Sequence, residues 1–211
     1  MRIVLAVMLA ATLGMPALAG PASERVFSRT ALEQIADDQQ AIYTHVRTGE
    51  VRPLENGEIR VTVKAGTNNA REAVVTMGET GQLRPVSKWP ASSGNPILPI
   101  FLESTLRTVA EATGGSEFYI RNRIKDALGS AGTIEDTELE LNGKVISATE
   151  ITFEPFVNDK NRARLGDYAG LKMIFVVSET LPGDIVRFSA VTGADGPYSE
   201  EISFEKLVEE E

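Results

Sequence analysis

The chain contains no cysteine. That absence excludes a disulfide framework, a thiol nucleophile, a thiolate metal site and a lipid anchor attached through sulfur. Histidine occurs once, as His45. One imidazole and no thiol leave zinc only carboxylates to bind, and no Gly-x-Ser-x-Gly elbow supplies an activated serine for that imidazole. No metal and no cofactor is expected. Cations are the scarcer charge, 21 Lys and Arg against 30 Asp and Glu, for a formal charge of −9. A body of that sign gains no long-range attraction to nucleic acid or to anionic lipid. Nucleic acid is therefore not an expected partner. Internal repeats and low-complexity tracts are missing too.

Long apolar runs are almost absent, with one exception at the start. A single cation, Arg2, precedes Ile3 to Leu13, and Gly14, Pro16 and Ala17-Leu-Ala19 follow. This pattern predicts a secretory signal peptide over 1–19, cleaved after Ala19. Pro16 shortens the run below the roughly 20 residues a spanning helix needs. The mature chain, 20–211, is expected to be periplasmic or secreted, with no transmembrane segment. Loss of Arg2 would make it one unit more negative. About 190 residues can bury a core without covalent staples. We expect a single α+β domain, with 80–95 and 130–134 as the places where a boundary would fall.

Periodicity supplies the elements. Thr30-Ala-Leu-Glu33 fits a capping box, and Leu32, Ile35, Ala36, Ile42, Tyr43 and Val46 recur at helical spacing, predicting an N-terminal amphipathic helix over about 31–47. Asn56-Gly57 reads as a turn, after which Ile59, Val61 and Val63 alternate as a strand. Gly66-Thr-Asn-Asn69 reads as the loop to a second strand near Glu72 to Met77, which makes a short hairpin. The stretch from Gly78 to Asn95 reads as a connection. Leu98, Phe101, Leu102, Leu106 and Val109 mark a helix, and Ile120, Ile124 and Leu128 a second.

From Thr133 the period becomes that of strands. Asn142-Gly143 is a strong hairpin signal. Leu171 to Val177 is apolar on both faces, as in a central strand. Leu181-Pro-Gly-Asp184 suits a type II turn, and Val186, Phe188, Ile202 and Phe204 follow. The last third is expected to be an antiparallel β-unit, a meander or small sandwich.

The corner Thr113-Gly-Gly-Ser-Glu117 invites comparison with a phosphate cradle, but a P-loop follows a strand and ends in Lys-Ser/Thr. Here glycine can cap one helix, and Ser116 the next. Beyond it Tyr119, Arg121, Arg123 and Lys125 form a basic, aromatic strip that is unusual in an acidic chain. Asn158 to Asp167 departs from a calcium loop, having Ala163 at the fifth position and Arg164 at the invariant glycine. Its Asp159, Arg162, Arg164 and Asp167 are expected to pair locally, with Arg162 and Arg164 as contact candidates.

Three functions fit this inventory. The first is a non-catalytic envelope protein that binds another protein or an envelope component through the two basic segments. The second is a carrier or sensor of a small apolar ligand between sheet and helices, in a cavity lined by Phe101, Phe153 and Phe175. The third is a hydrolase using two acids about 5–10 Å apart, with Glu103, Glu117 and Glu154 as candidates. The missing motifs place catalysis last.

Overall fold

The computed structural model describes residues 21–66 and 70–210. The expected leader over 1–19 lies outside the described residues. A short helix α1 (Pro21–Val26) and a run of turns lead into four strands: β1 (Gln39–Gly49), β2 (Leu54–Ala65), β3 (Arg71–Glu79) and β4 (Arg84–Pro90). Helices α2 (Ile97–Thr113) and α3 (Glu117–Leu128) follow. Five more strands complete the chain: β5 (Thr133–Leu141), β6 (Lys144–Phe153), β7 (Lys172–Val177), β8 (Ile185–Val191) and β9 (Tyr198–Glu209). All nine strands form one antiparallel sheet in the order β4-β3-β2-β1-β9-β8-β7-β6-β5.

That order dictates where the helices lie. The first four strands step outward from the centre to one edge, and the last five return from the opposite edge. Residues between β4 and β5 must therefore cross the whole sheet. Nine strands about 4.8 Å apart make a sheet roughly 38 Å wide when flat. The 17 residues of α2 rise about 26 Å, so helix is an efficient way to make the crossing. The face α2 turns to the sheet carries Ile97, Leu98, Phe101, Leu106 and Val109, all buried. Phe101 meets Phe175 and Phe188 at centroid distances of 5.7 Å each, and Phe153 meets Phe175 at 5.8 Å. The Phe101–Phe175 and Phe153–Phe175 pairs are edge-to-face, contacts that add about 0.5–1.5 kcal/mol beyond area burial.

Four expectations need correction. Residues 31–47 are not a helix, because Gln39–Gly49 is strand β1, paired with β2 on one side and β9 on the other. Leu32 and Ile35 are buried in turns, so the helical spacing mixed two different environments. Asn56-Gly57 is not a turn either: it lies inside β2, with Gly57 opposite His45. A Cβ there would collide with the His45 carbonyl oxygen, so this glycine serves close strand approach beside a bulge between His45 and Arg47. The connection 78–95 contains β4, whose Trp89 faces Ala73. The last third is in part as expected: β5 to β9 follow one another as an antiparallel meander, not as a small sandwich, and β9 continues the sheet into β1 through eleven paired positions.

Other expectations hold. Gly114 caps α2 in the left-handed region (φ 63°), and the Ser116 side chain accepts a hydrogen bond from the Tyr119 amide at 3.3 Å. The corner is an α–α joint with a cap on each helix. Asn142 (φ 53°) and Gly143 (φ 75°) form the β5–β6 turn. At Leu181–Asp184 the Asp184 amide donates to Leu181 O at 2.9 Å, with Gly183 at φ 88°.

Candidate binding cleft

A cleft of about 1860 Å³ opens where the two helices pass over the β5–β6–β7 end of the sheet. Pockets for small molecules occupy about 300–1,000 Å³, so this one suits something longer. Its apolar floor comes from Leu102 and Leu106 of α2, Ile124 and Leu128 of α3, and Ala148 and Val177 of the sheet. Helical spacing accounts for both helix pairs: each is four residues apart and so shares a face. The rim is charged with both signs. Arg25, Arg29, Arg121 and Lys125 stand against Glu24, Glu103, Asp136, Glu138, Glu179 and Asp184.

The segment α1 and the turn after it lie along the cleft. The Ser23 hydroxyl donates to Leu128 O. Arg25 Nη1 donates to Thr149 Oγ1 at 2.7 Å and lies 3.6 Å from Asp136. Phe27, about half exposed, contributes to the lining. Asp184 is pushed above the ordinary carboxylate range by burial, which outweighs the Ser28 hydrogen bond, and Glu179 adds repulsion. An acid so placed favours a cation or a hydrogen-bond donor nearby.

The basic strip divides between two places. Arg121 and Lys125 line the cleft, and Arg121 Nη2 lies 3.3 Å from Glu103 Oε2. Arg123 instead pairs with Asp126 at 2.7 Å and sits 5.8 Å from the centre of the Tyr119 ring. The Tyr119 hydroxyl donates to Asp159, and Asn161 Nδ2 donates back to it at 3.1 Å. Tyr119 thereby ties α3 to the 158–167 segment. Arg162 Nη1 donates to Phe156 O and Val157 O at 3.3 and 3.2 Å, so it braces its own loop. Arg164 is exposed within the 3-10 turn Arg162–Gly170. The local pairing expected among Asp159, Arg162, Arg164 and Asp167 is replaced, for Asp159, by the tyrosine and the Asn161 amide.

Of the candidate acids, Glu117 is exposed in the first turn of α3, and the other two are paired. Glu103 pairs with Arg107 at 2.7 Å as well as with Arg121, and Glu154 lies 3.5 Å from Lys172. The space bounded by Phe101, Phe153 and Phe175 is filled by the rings themselves, each no more than 2% exposed. None of the three rings lines the cleft, so an apolar ligand there would rest on other side chains.

Two features were not readable in the sequence. His45, for which the sequence offers no partner, is buried in β1, its Nε2 2.6 Å from Glu200 Oε1. Ser104 Oγ donates to the same oxygen at 2.6 Å, and Tyr198 to Oε2 at 2.6 Å. Arg47 Nη2 donates to Ser104 Oγ at 3.0 Å. Ser104 and His45 thus both address the carboxylate rather than one another, which is no nucleophile–base pair. The cluster fastens α2 to the β1–β9 seam. Second, Asn95 Nδ2 donates to Tyr43 Oη and to Gly183 O, both at 2.9 Å, while its Oδ1 accepts from the Ile97 amide at 3.1 Å. Position 95 joins β1, the β7–β8 turn and the start of α2. No signal short of the tertiary structure marks either hub.

Among the described residues no three His, Asp or Glu side chains gather as metal ligands, and no helix is long and apolar enough to cross a membrane. No protein-family model matches the chain, and no curated protein matches it. Solved structures similar to it include MucB, at 11% identity and a TM-score of 0.44 over 89% of this chain and 58% of MucB. MucB in complex with MucA(peri) gives 12%, 0.45, 88% and 54% in the same order. The Mycobacterium tuberculosis lipoprotein LppX gives 14%, 0.37, 90% and 98%. The chain spans little more than half the length of the MucB chains, and at these TM-scores the likeness bears on neither ligand nor partner.

Proposed function

We propose that this is a non-catalytic binding protein of the cell envelope, exported by its leader, which holds a segment of another protein in the cleft between its helix pair and the β5–β6–β7 end of its sheet. The cleft itself is the observation that carries this reading. Its apolar floor can bury side chains, and its rim of both signs can orient a polar backbone. Its size suits an extended segment better than a compact metabolite. A second reading has a specific observation in its favour. Leu102, Leu106, Ile124, Leu128 and Val177 make a continuous apolar floor, which an acyl chain would also fill.

Native mass spectrometry of the full chain, recovered by osmotic shock, tests both. The proposal expects a non-covalent polypeptide adduct that is lost in a folded Leu102→Lys variant. Lipid mass alone would transfer the site to the second reading. An adduct retained by Leu102→Lys would contradict binding in the cleft.

A further inference from the structure

The two edges of the sheet are unlike. Edge strand β4 carries Pro85 and Pro90, which offer no amide, the cations Arg84 and Lys88, and a register irregularity between Val75 and Thr76 of its partner. These are the devices by which natural sheets refuse another strand. Edge strand β5, Thr-Ile-Glu-Asp-Thr-Glu-Leu-Glu-Leu, has no proline and no lysine. All nine of its residues pair in unbroken register with β6. Its outer backbone groups form an uninterrupted row, and the strand borders the cleft through Asp136, Thr137 and Glu138.

We propose that the β5 edge captures an extended, lysine- or arginine-rich segment of another protein as a tenth strand. The inference rests on the binding reading above and names the partner. Charge decides the occupant. β5 carries Glu135, Asp136, Glu138 and Glu140 and no cation. A second copy pairing through the same edge would set acid against acid, which is destabilising across strands. Cations on the incoming strand reverse the sign at those positions, and backbone hydrogen bonds supply the rest. Arg25 already places a guanidinium 3.6 Å from Asp136, showing how a cation sits against this strand. Ile134 (38% exposed) and Val145 (70% exposed) add apolar contact beside the charges.

The test uses the full chain and a labelled nine-residue peptide alternating lysine and valine, the length of β5. Fluorescence anisotropy should show saturable binding that weakens with salt. It should fall roughly tenfold or more in Glu138→Lys/Glu140→Lys, both exposed positions, and vanish when alternate peptide amides are methylated. Hydrogen exchange should slow at β5 amides in the complex. Equal binding of the methylated peptide would overturn strand addition. So would slowed exchange confined to α2 and α3, although the cleft reading would then stand. A peptide-free dimer with protected β5 amides would give the edge to a second copy and overturn the proposal. No peptide binding, alongside an envelope adduct still lost in Leu102→Lys, would overturn the edge alone.

Discussion

Glu200 is fully buried, and the groups around it determine its charge. Burial would raise its pKa, but hydrogen bonds from His45, Ser104 and Tyr198 and the His45 charge outweigh it, so the carboxyl titrates below its ordinary range. An acid held low in the fold adds stability that is complete above its unfolded pKa of about 4.3 and is lost as pH falls through the folded value. Glu200→Gln should therefore lower stability at neutral pH by about 1–3 kcal/mol. The gap between variant and wild type should narrow as melting is followed down through the acid range. A gap that widens there would reverse the sign of this argument. Gly143 tests a different residue-scale claim. Its φ is 75°, and a Cβ would meet nothing within 4 Å. Gly143→Val should cost about 1–2 kcal/mol from backbone conformation alone, read as a shifted urea midpoint with unchanged slope. An unshifted midpoint would show that the turn does not require a left-handed residue.

At the scale of elements, what could be read in advance depended on how local the packing is. α2 and α3 each bury an apolar stripe, so their apolar periods survive in the sequence, as do the cap at Ser116 and the turn at Asn142-Gly143. β1 is a central strand: Ala41, Tyr43 and His45 are buried on one face and Ile42 on the other. Burial on both faces erases the alternation, and the partners that stabilise β1 as a strand include β9, about 150 to 170 positions away. The cleft was half legible. Arg121 and Lys125 were marked by charge, whereas Leu102, Ile124 and Val177 looked like ordinary core until the crossing helices brought them to one cleft floor. Arg121 and Glu103 are 50% and 40% exposed, and exposed pairs contribute about 0–1 kcal/mol. Arg121→Ala/Lys125→Ala should accordingly melt close to wild type while losing salt-sensitive retention of the cleft's ligand. Unfolding of the double variant, with ligand retention unchanged per folded chain, would reduce α3 to scaffold.

For the whole molecule, the decisive fact is the route of the chain. Because the strands end at one edge and resume at the other, the helices must bridge the sheet, and the bridge leaves a long cleft over the β5–β6–β7 end. The Tyr43–Asn95–Gly183 and His45–Glu200–Ser104 hubs hold the start and middle of α2 to the sheet, so the cleft is framed by fixed elements. The central claim is that this cleft is where the protein meets its partner. Photocrosslinking in the exporting cell tests it most directly, with benzoylphenylalanine placed at Leu102 in the cleft or at Val86 on the β4 edge. The account predicts a discrete polypeptide adduct from position 102 and none from position 86. Adducts from position 86 alone, with position 102 silent in a folded chain, would contradict it.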